Sequence, residues 1–371
     1  MPVTSRASLR RTARTFIAVG VVLALPLLLV TAATGSSSTT TTSSTSTTST
    51  LAGTTTSSPT TTTTRVTTVL PWPASDSAAI AIPSLSVTDE SANQPRVPVA
   101  SLTKLMTTWV VLQKLPLGPN QMGTCLSVNA QDVAFYHQNL SIEESTVKIV
   151  KGERLCEGTL LRGLFVHSSG DYAEMLVRLT GMSSATFVAA MNASASSLGL
   201  TQTHFADFTG ISPSDLSTAH DVAALTVDLL TSQPALQTIV ALTKVHLPIA
   251  GWVGSYTPYI GTDGVVGVKS GYTLASGGCV AMEINVTVGG IVVPTYEVVL
   301  SQPGANALDV AGAHALSLMR VLRRQMALAN GSDGKIVVWT GSSNLVTPTT
   351  TTTTTTTSTS TTTTTTTIPT I

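Results

Sequence analysis

Ser101 and Lys104 stand three residues apart at the start of a segment apolar at Leu105, Met106, Trp109, Val110 and Leu112. On a helix that spacing puts both side chains on one face. A neutral lysine amine within reach of a serine hydroxyl can take its proton and leave a nucleophilic alkoxide. By itself the tetrapeptide is weak, since a serine N-cap followed by a solvated lysine has the same spelling. Two further groups of residues could share this chemistry. His167-Ser168-Ser169-Gly170-Asp171 interrupts an apolar helical pattern running from Glu157 to Thr180. Polar groups in a buried break need partners. Lys269-Ser270-Gly271 follows the strand-like run Val265-Val266-Gly267-Val268. An inward-facing lysine there requires an anion, and a substrate carboxylate would serve. Ser270 adds a hydroxyl, and Gly271 allows a ligand or a neighbouring backbone to approach closely. Each group also has a bland counterpart: a helix–helix turn for the first, a solvated edge-strand lysine for the second.

The elements that must position these residues can be read from periodicity and punctuation. Ser77 to Ile82 reads as a short strand, and Ser101 to about Lys114 as a helix. A helix from Phe187 to Leu198 closes at Gly199, and Ser217-Thr218 with Asp221 opens another. Gly264 to Gly271 is a glycine-punctuated strand. Gly278–Thr287 and Ile291–Leu300 form a hairpin around Gly289-Gly290. A last helix runs from Ala311 to Leu328, and Lys335–Trp339 is a short strand. Strand, helices, hairpin and helix in that order describe an α+β domain, an antiparallel sheet with packed helices.

Composition limits what surrounds this domain. Of 371 residues, 36–64 are almost only Ser and Thr and 347–368 almost only Thr. Neither tract can bury a core, and both read as disordered. Arg6, Arg10, Arg11 and Arg14 precede an apolar run from Phe16 to Val30, then Thr31-Ala32-Ala33. This reads as an export signal, either cleaved or kept as a membrane anchor. The expected organisation is a leader at 1–34, a Ser/Thr-rich linker at 35–74, a catalytic domain at 75–328, a short extension at 329–346 and a tail at 347–371. Five of the 19 basic residues lie before Asp76 and all 19 acidic residues from Asp76 onward. The foldable part therefore carries about −5, which argues against a nucleic-acid surface. Cys125 and Cys156 sit in two short extended segments and could pair if those are adjacent. A chain with all three cysteines reduced fits nearly as well. Cys279, in an apolar strand, reads as a buried thiol.

The ordered set S-x-x-K, a serine-containing turn, then K-[ST]-G on a strand matches the acyl-serine architecture of penicillin-binding proteins and class A β-lactamases. The chain resembles the D-alanyl-D-alanine carboxypeptidases, the low-molecular-mass penicillin-binding proteins. The resemblance covers Pro98 to Thr107, Leu160 to Ser168, Met191-Asn192, Leu198 to Leu200, Thr203 to Phe205, Ser217 to Asp221 and Gly264 to Gly278. It implies a β-lactamase/transpeptidase-like DD-peptidase fold. It also implies that Ser101 is the acylated nucleophile, Lys104 its base and Ser168 a proton relay. Lys269 and Ser270 would bind the terminal carboxylate, and the backbone N–H groups of Ser101 and Tyr272 an oxyanion. With Gly271 and Tyr272 completing the substrate strand, the implied partner is a peptidoglycan stem ending in D-Ala-D-Ala, with β-lactams as covalent inhibitors. No metal or cofactor is implied, and the chain would act outside the cytoplasm. Burial and a second ammonium at Lys269 would both lower the pKa of Lys104.

The chain departs from the family's Ser-x-Asn second motif. Counting from Ser168 puts Gly170 at the Asn position; counting from Ser169 puts Asp171 there. Asp207-Phe208 stands for an expected Asn-Pro, and Ser270 for the commoner Thr. A catalytically weakened penicillin-binding or wall-binding module, carried on Thr-rich arms, is the alternative. A class A-like β-lactamase fits less well, because its deacylating Glu is sought between the second and third motifs, where only Glu174 occurs.

Overall fold

A computed structural model of the chain describes residues 70–75, 77–331 and 334–340. The expected leader, most of the linker and the Thr-rich tail lie outside the described residues. Thirteen strands and eight helices are described. β1 (Ala78–Ile82), β2 (Val87–Glu90) and β3 (Val97–Pro98) precede α1 (Thr103–Lys114). β4 (Cys125–Ser127), α2 (Ala130–Ser141) and β5 (Arg154–Cys156) follow, then α3 (Glu157–Val166), α4 (Gly170–Leu179) and α5 (Ser184–Ser197). β6 (Leu216–Ser217), α6 (Ala219–Ser232), α7 (Gln237–Val240), β7 (Lys244–Leu247) and β8 (Gly251–Gly254) lead to three long strands. These are β9 (Val265–Thr273), β10 (Gly277–Val288) and β11 (Ile291–Gln302). α8 (Ala307–Arg324), β12 (Met326–Gly331) and β13 (Gly334–Trp339) close the fold.

One antiparallel sheet, in the order β2-β1-β11-β10-β9, forms the centre. All five residues of β1 are buried, because the sheet is covered on both faces. Alternation then sorts its side chains. Ala79 and Ala81 join the larger apolar cluster with Leu105, Met106, Leu160, Leu164 and Leu176 of the helical side. Ala78, Ile80 and Ile82 join a second cluster with Met282, Val299, Ala311 and Leu318 under α8. Gly289 and Gly290 have φ of 55° and 89°, the left-handed pair a two-residue hairpin requires. α1 is the buried helix of the larger layer. Its hydroxyls are satisfied by main chain: Thr107 Oγ1 donates to Phe208 O at 2.7 Å and Thr108 Oγ1 to Lys104 O at 2.8 Å.

Several elements differ from the sequence reading. α8 begins at Ala307 and ends at Arg324, so residues 326–328 belong to β12, which pairs with β13. The alternation at Met326 to Ala329 suits a strand once β13 offers a partner. This hairpin crosses the expected boundary at 328. At the other end Leu70 and Trp72, assigned to the linker, pack against the second cluster because they are large and apolar. Cys125 pairs with Cys156 across β4 and β5, and the two form a disulfide. Cys279 is a buried free thiol whose pKa burial pushes up to about 11.

Candidate active site

Ser101 does not lie in α1 itself but on the 3-10 turn Ala100–Leu102 that feeds it. Ala100 has φ +47°, an uncommon conformation for a residue with a Cβ. The turn presents Ser101, partly buried, above the first turn of α1. Lys104 is fully buried, and its Nζ lies 3.1 Å from Ser101 Oγ. The amine donates to Thr209 O at 2.5 Å and sits 3.5 Å from Glu144 Oε1. The Thr209 carbonyl is held by a loop that Asp207 organises. Asp207 Oδ1 accepts from Thr209 N at 2.7 Å and Gly210 N at 2.6 Å, and Oδ2 accepts from Ser212 N at 2.7 Å. Gly210, at φ +88°, leaves no room for a Cβ against the Ala100 carbonyl.

The break between α3 and α4 resolves the two serines. Ser169 caps α4: its Oγ accepts from Tyr172 N at 3.4 Å and donates to Asp171 Oδ1 at 2.5 Å. Ser168, at φ +58°, turns the other way. Its Oγ accepts from Lys269 Nζ at 2.9 Å. Ser168 is thus the hydroxyl beside the strand lysine, and Gly170 rather than Asp171 occupies the third place of the motif.

Lys269 comes from β9, the edge strand of the sheet, opposite Ala281 of β10. It is buried, and besides Ser168 it donates to Ser270 O at 2.7 Å. Two positions on, Gly271 passes the Ala100–Leu102 turn at close range. A Cβ there would lie 2.7 Å from Ser101 N and 3.2 Å from Leu102 N. Ser101, Ser168, Ser270, Gly271 and Tyr272 share a cleft of about 230 Å³, with Tyr256 and Leu308 on its walls. Tyr256 is fixed by stacking on His167, ring centroids 4.7 Å apart. Tyr256, Tyr272 and Leu308 also border a neighbouring groove of about 450 Å³, which gives room for more of an extended ligand.

Burial is the main cause of the lowered Lys104 pKa. Glu144, Asp207 and Asp171 oppose it by attraction to the ammonium. Lys269 lies well below the ordinary lysine value, first through burial and then through repulsion by Lys104. This refines the sequence expectation. Burial is the larger cause for both lysines, and the repulsion between the two ammonium groups is mutual. Asp171 is pushed up to about 6, chiefly by burial, against the Ser169 hydroxyl and the Val147 N–H.

Sequence reasoning missed three contributors. The Thr209 carbonyl is main chain and has no signature. Asp207 was visible only as a substituted position. Glu144, beside an ordinary-looking Glu143, carries no local pattern and precedes Ser168, outside the stretch between the second and third motifs. Glu174, which falls within that stretch, lies on α4, where Asp132 and Arg178 are its charged neighbours. A more apolar groove of about 260 Å³ lies between β1, β2 and α6, lined chiefly by Ile80, Pro83, Val87, Ala223 and Val227.

The chain is similar to known proteins over much of its described length. Residues 74–299 match the family described as D-alanyl-D-alanine carboxypeptidase. A D-alanyl-D-alanine carboxypeptidase, DacC, of Escherichia coli is 32% identical over 137 residues, 36% of this chain and 34% of that protein. DacF of Bacillus subtilis is 26% identical over 204 residues, 50% of this chain and 47% of that one. A D-alanyl-D-alanine endopeptidase of Haemophilus influenzae is 30% identical over 140 residues, 38% of this chain and 44% of the relative. The chain thus spans a third to a half of the length of these curated relatives. Among solved structures, a variant of a Streptomyces DD-transpeptidase superposes with TM-score 0.58 at 21% identity, covering 66% of this chain and 96% of that one. A penicillin-binding protein homologue of Mycobacterium tuberculosis gives the same TM-score and identity over 69% and 95%. The α+β fold is therefore of the DD-peptidase type.

Proposed function

Since the chain belongs to the D-alanyl-D-alanine carboxypeptidase family, we propose that it is a serine-type D-Ala-D-Ala carboxypeptidase. Its substrate is a peptidoglycan stem peptide, and it removes the terminal D-alanine through an acyl-serine intermediate. Neutral Lys104 takes the Ser101 proton, and the alkoxide attacks the carbonyl of the penultimate D-alanine. The N–H groups of Ser101 and Tyr272 stabilise the oxyanion. As the tetrahedral species collapses, Ser168 relays a proton to the departing amine and D-alanine leaves. Water then attacks the ester and restores Ser101. Lys269 and Ser270 receive the terminal carboxylate, an anion that restores the charged form of a lysine whose burial disfavours it. Gly271 admits the peptide beside the nucleophile turn. β-Lactams acylate Ser101 by the same route.

The carrying observation is the buried Lys104 amine 3.1 Å from Ser101 Oγ, with the Ser168–Lys269 pair in the same cleft. Intact-mass spectrometry after incubation with benzylpenicillin tests it. A single penicilloyl adduct is expected on the wild type and none on Ser101→Ala. An unmodified wild type, or an adduct that survives the substitution, overturns the reading. Gly170, with no side chain where the family has Asn, favours a second reading as a penicillin binder of low turnover. Release of D-alanine from a pentapeptide separates the two. The arginine-led apolar leader and the Cys125–Cys156 disulfide support action outside the cytoplasm, at the cell wall or the outer membrane face. Among the described residues no helix is long and apolar enough to cross a membrane. Any membrane contact would come from an uncleaved leader.

A further inference from the structure

Gly170 leaves a gap in the second motif, and Glu144 fills it. A Cβ at Gly170 would overlap the Glu144 carboxylate, with Cδ only 2.5 Å away. The Glu144 side chain is 7% exposed and its Oε1 lies 3.5 Å from Lys104 Nζ. That oxygen is buried with no other polar partner, so its partner is the Lys104 ammonium. The segment is anchored by main chain at both sides: Glu144 N donates to Asn139 O at 2.9 Å, and Gly170 N to Ser145 O at 2.8 Å. Glu143, at φ +58°, makes the turn that sends Glu144 inward while remaining exposed at the cleft.

We propose that Glu144 is a positioning residue that replaces the missing second-motif side chain with a counter-ion for Lys104. It holds the amine against Ser101 and stabilises the ammonium formed when Lys104 takes the Ser101 proton. In that step the Ser101 O–H bond breaks, an N–H bond forms on Lys104, and the oxygen electron pair goes to the substrate carbonyl. The inference rests on the acyl-serine reading. Glycine at 170 and glutamate at 144 are then one device. The glycine is required because the carboxylate occupies its side-chain space.

The charged groups around Lys104 are Glu144, Asp207, Asp171 and, across the cleft, Lys269. Glu144 raises the Lys104 pKa, so its removal lowers it further. Acylation requires neutral Lys104, so the acid limb of the acylation profile should move to lower pH in Glu144→Gln. The plateau should fall as well, by about tenfold, because the ammonium formed in the step loses its counter-ion. Fluorescent-penicillin acylation rates across about pH 5 to 9 read both effects. Gly170→Ala should reproduce them by displacing the carboxylate. In a Glu144→Ala background, Gly170→Ala should add less than about twofold, since the two share one interaction. A Glu144→Gln protein with wild-type melting temperature, plateau and acid limb overturns the proposal. Losses that multiply in the Gly170→Ala, Glu144→Ala double variant do so too. Should Gly170→Ala not fold, Glu144→Gln alone decides. A wild type that no penicillin acylates at any pH overturns the acyl-serine reading itself, and this inference with it.

Discussion

Asp207 anchors the floor on which Lys104 rests. Three N–H groups converge on its carboxylate, and the loop they shape delivers the Thr209 carbonyl to Lys104 Nζ at 2.5 Å. Asp207→Ala frees the loop and should slow penicillin acylation by about tenfold to a hundredfold, because small misplacements of a base are costly. Asp207→Asn keeps an oxygen for Thr209 and Gly210 and turns an amide toward Ser212 N. Its rate should fall between the other two. Equal rates for all three proteins would show that Lys104 is held without the loop.

At the scale of elements, the site depends on how closely β9 passes the 3-10 turn before α1. Gly271→Ala places a methyl 2.7 Å from Ser101 N. Either the strand or the turn must move, and with it the N–H of Ser101, the donor proposed for the oxyanion. A loss of acylation of about a hundredfold with a retained cooperative melt is expected; wild-type acylation would show that the strand can shift freely. The glycine was legible in the sequence because a lysine-bearing strand ended on it. The break at His167–Asp171 was legible for a similar reason, since an apolar helical pattern stops and restarts. Gly289-Gly290 likewise marked the hairpin. α2 was not read, because its fully buried positions, Asp132 and Asn139, are polar and much of its surface is exposed; its sign was the Asn129–Asp132 capping box. β7 and β8 are four residues each, too short for periodicity to speak. The motifs named four side chains that the fold gathers: Ser101, Lys104, Ser168 and Lys269. Contacts made by main chain, or by a glutamate from a distant turn, depend on packing that no local pattern encodes.

Across the whole molecule, the sheet separates two apolar layers, and each has taken in carboxyl groups. Glu297, fully buried on β11, accepts from Thr295 Oγ1 at 2.8 Å, and burial raises its pKa from 4.5 to about 8. Between those values the folded state holds a proton that the unfolded state has lost. Stability from this group therefore falls as pH rises from about 4.5 to about 8, then levels. The buried lysines act oppositely, since the unfolded chain protonates them more readily than the folded one. A Glu297→Gln variant isolates the carboxyl. Its melting temperature should gain on the wild type steadily from about pH 5 to about pH 8. A constant difference across that range would mean that Glu297 does not titrate in the folded protein. Cys125 and Cys156, 31 positions apart, close an excursion that carries α2 and the Glu143–Ser145 wall of the cleft. The oxidation state of the surroundings is thereby coupled to the shape of the pocket. Material produced in a reducing cytosol would retain its serine and lysine yet lose the clamp at the foot of that wall. The choice of expression compartment thus sets the quality of a preparation, and secretion into an oxidising space is the route to the clamped form.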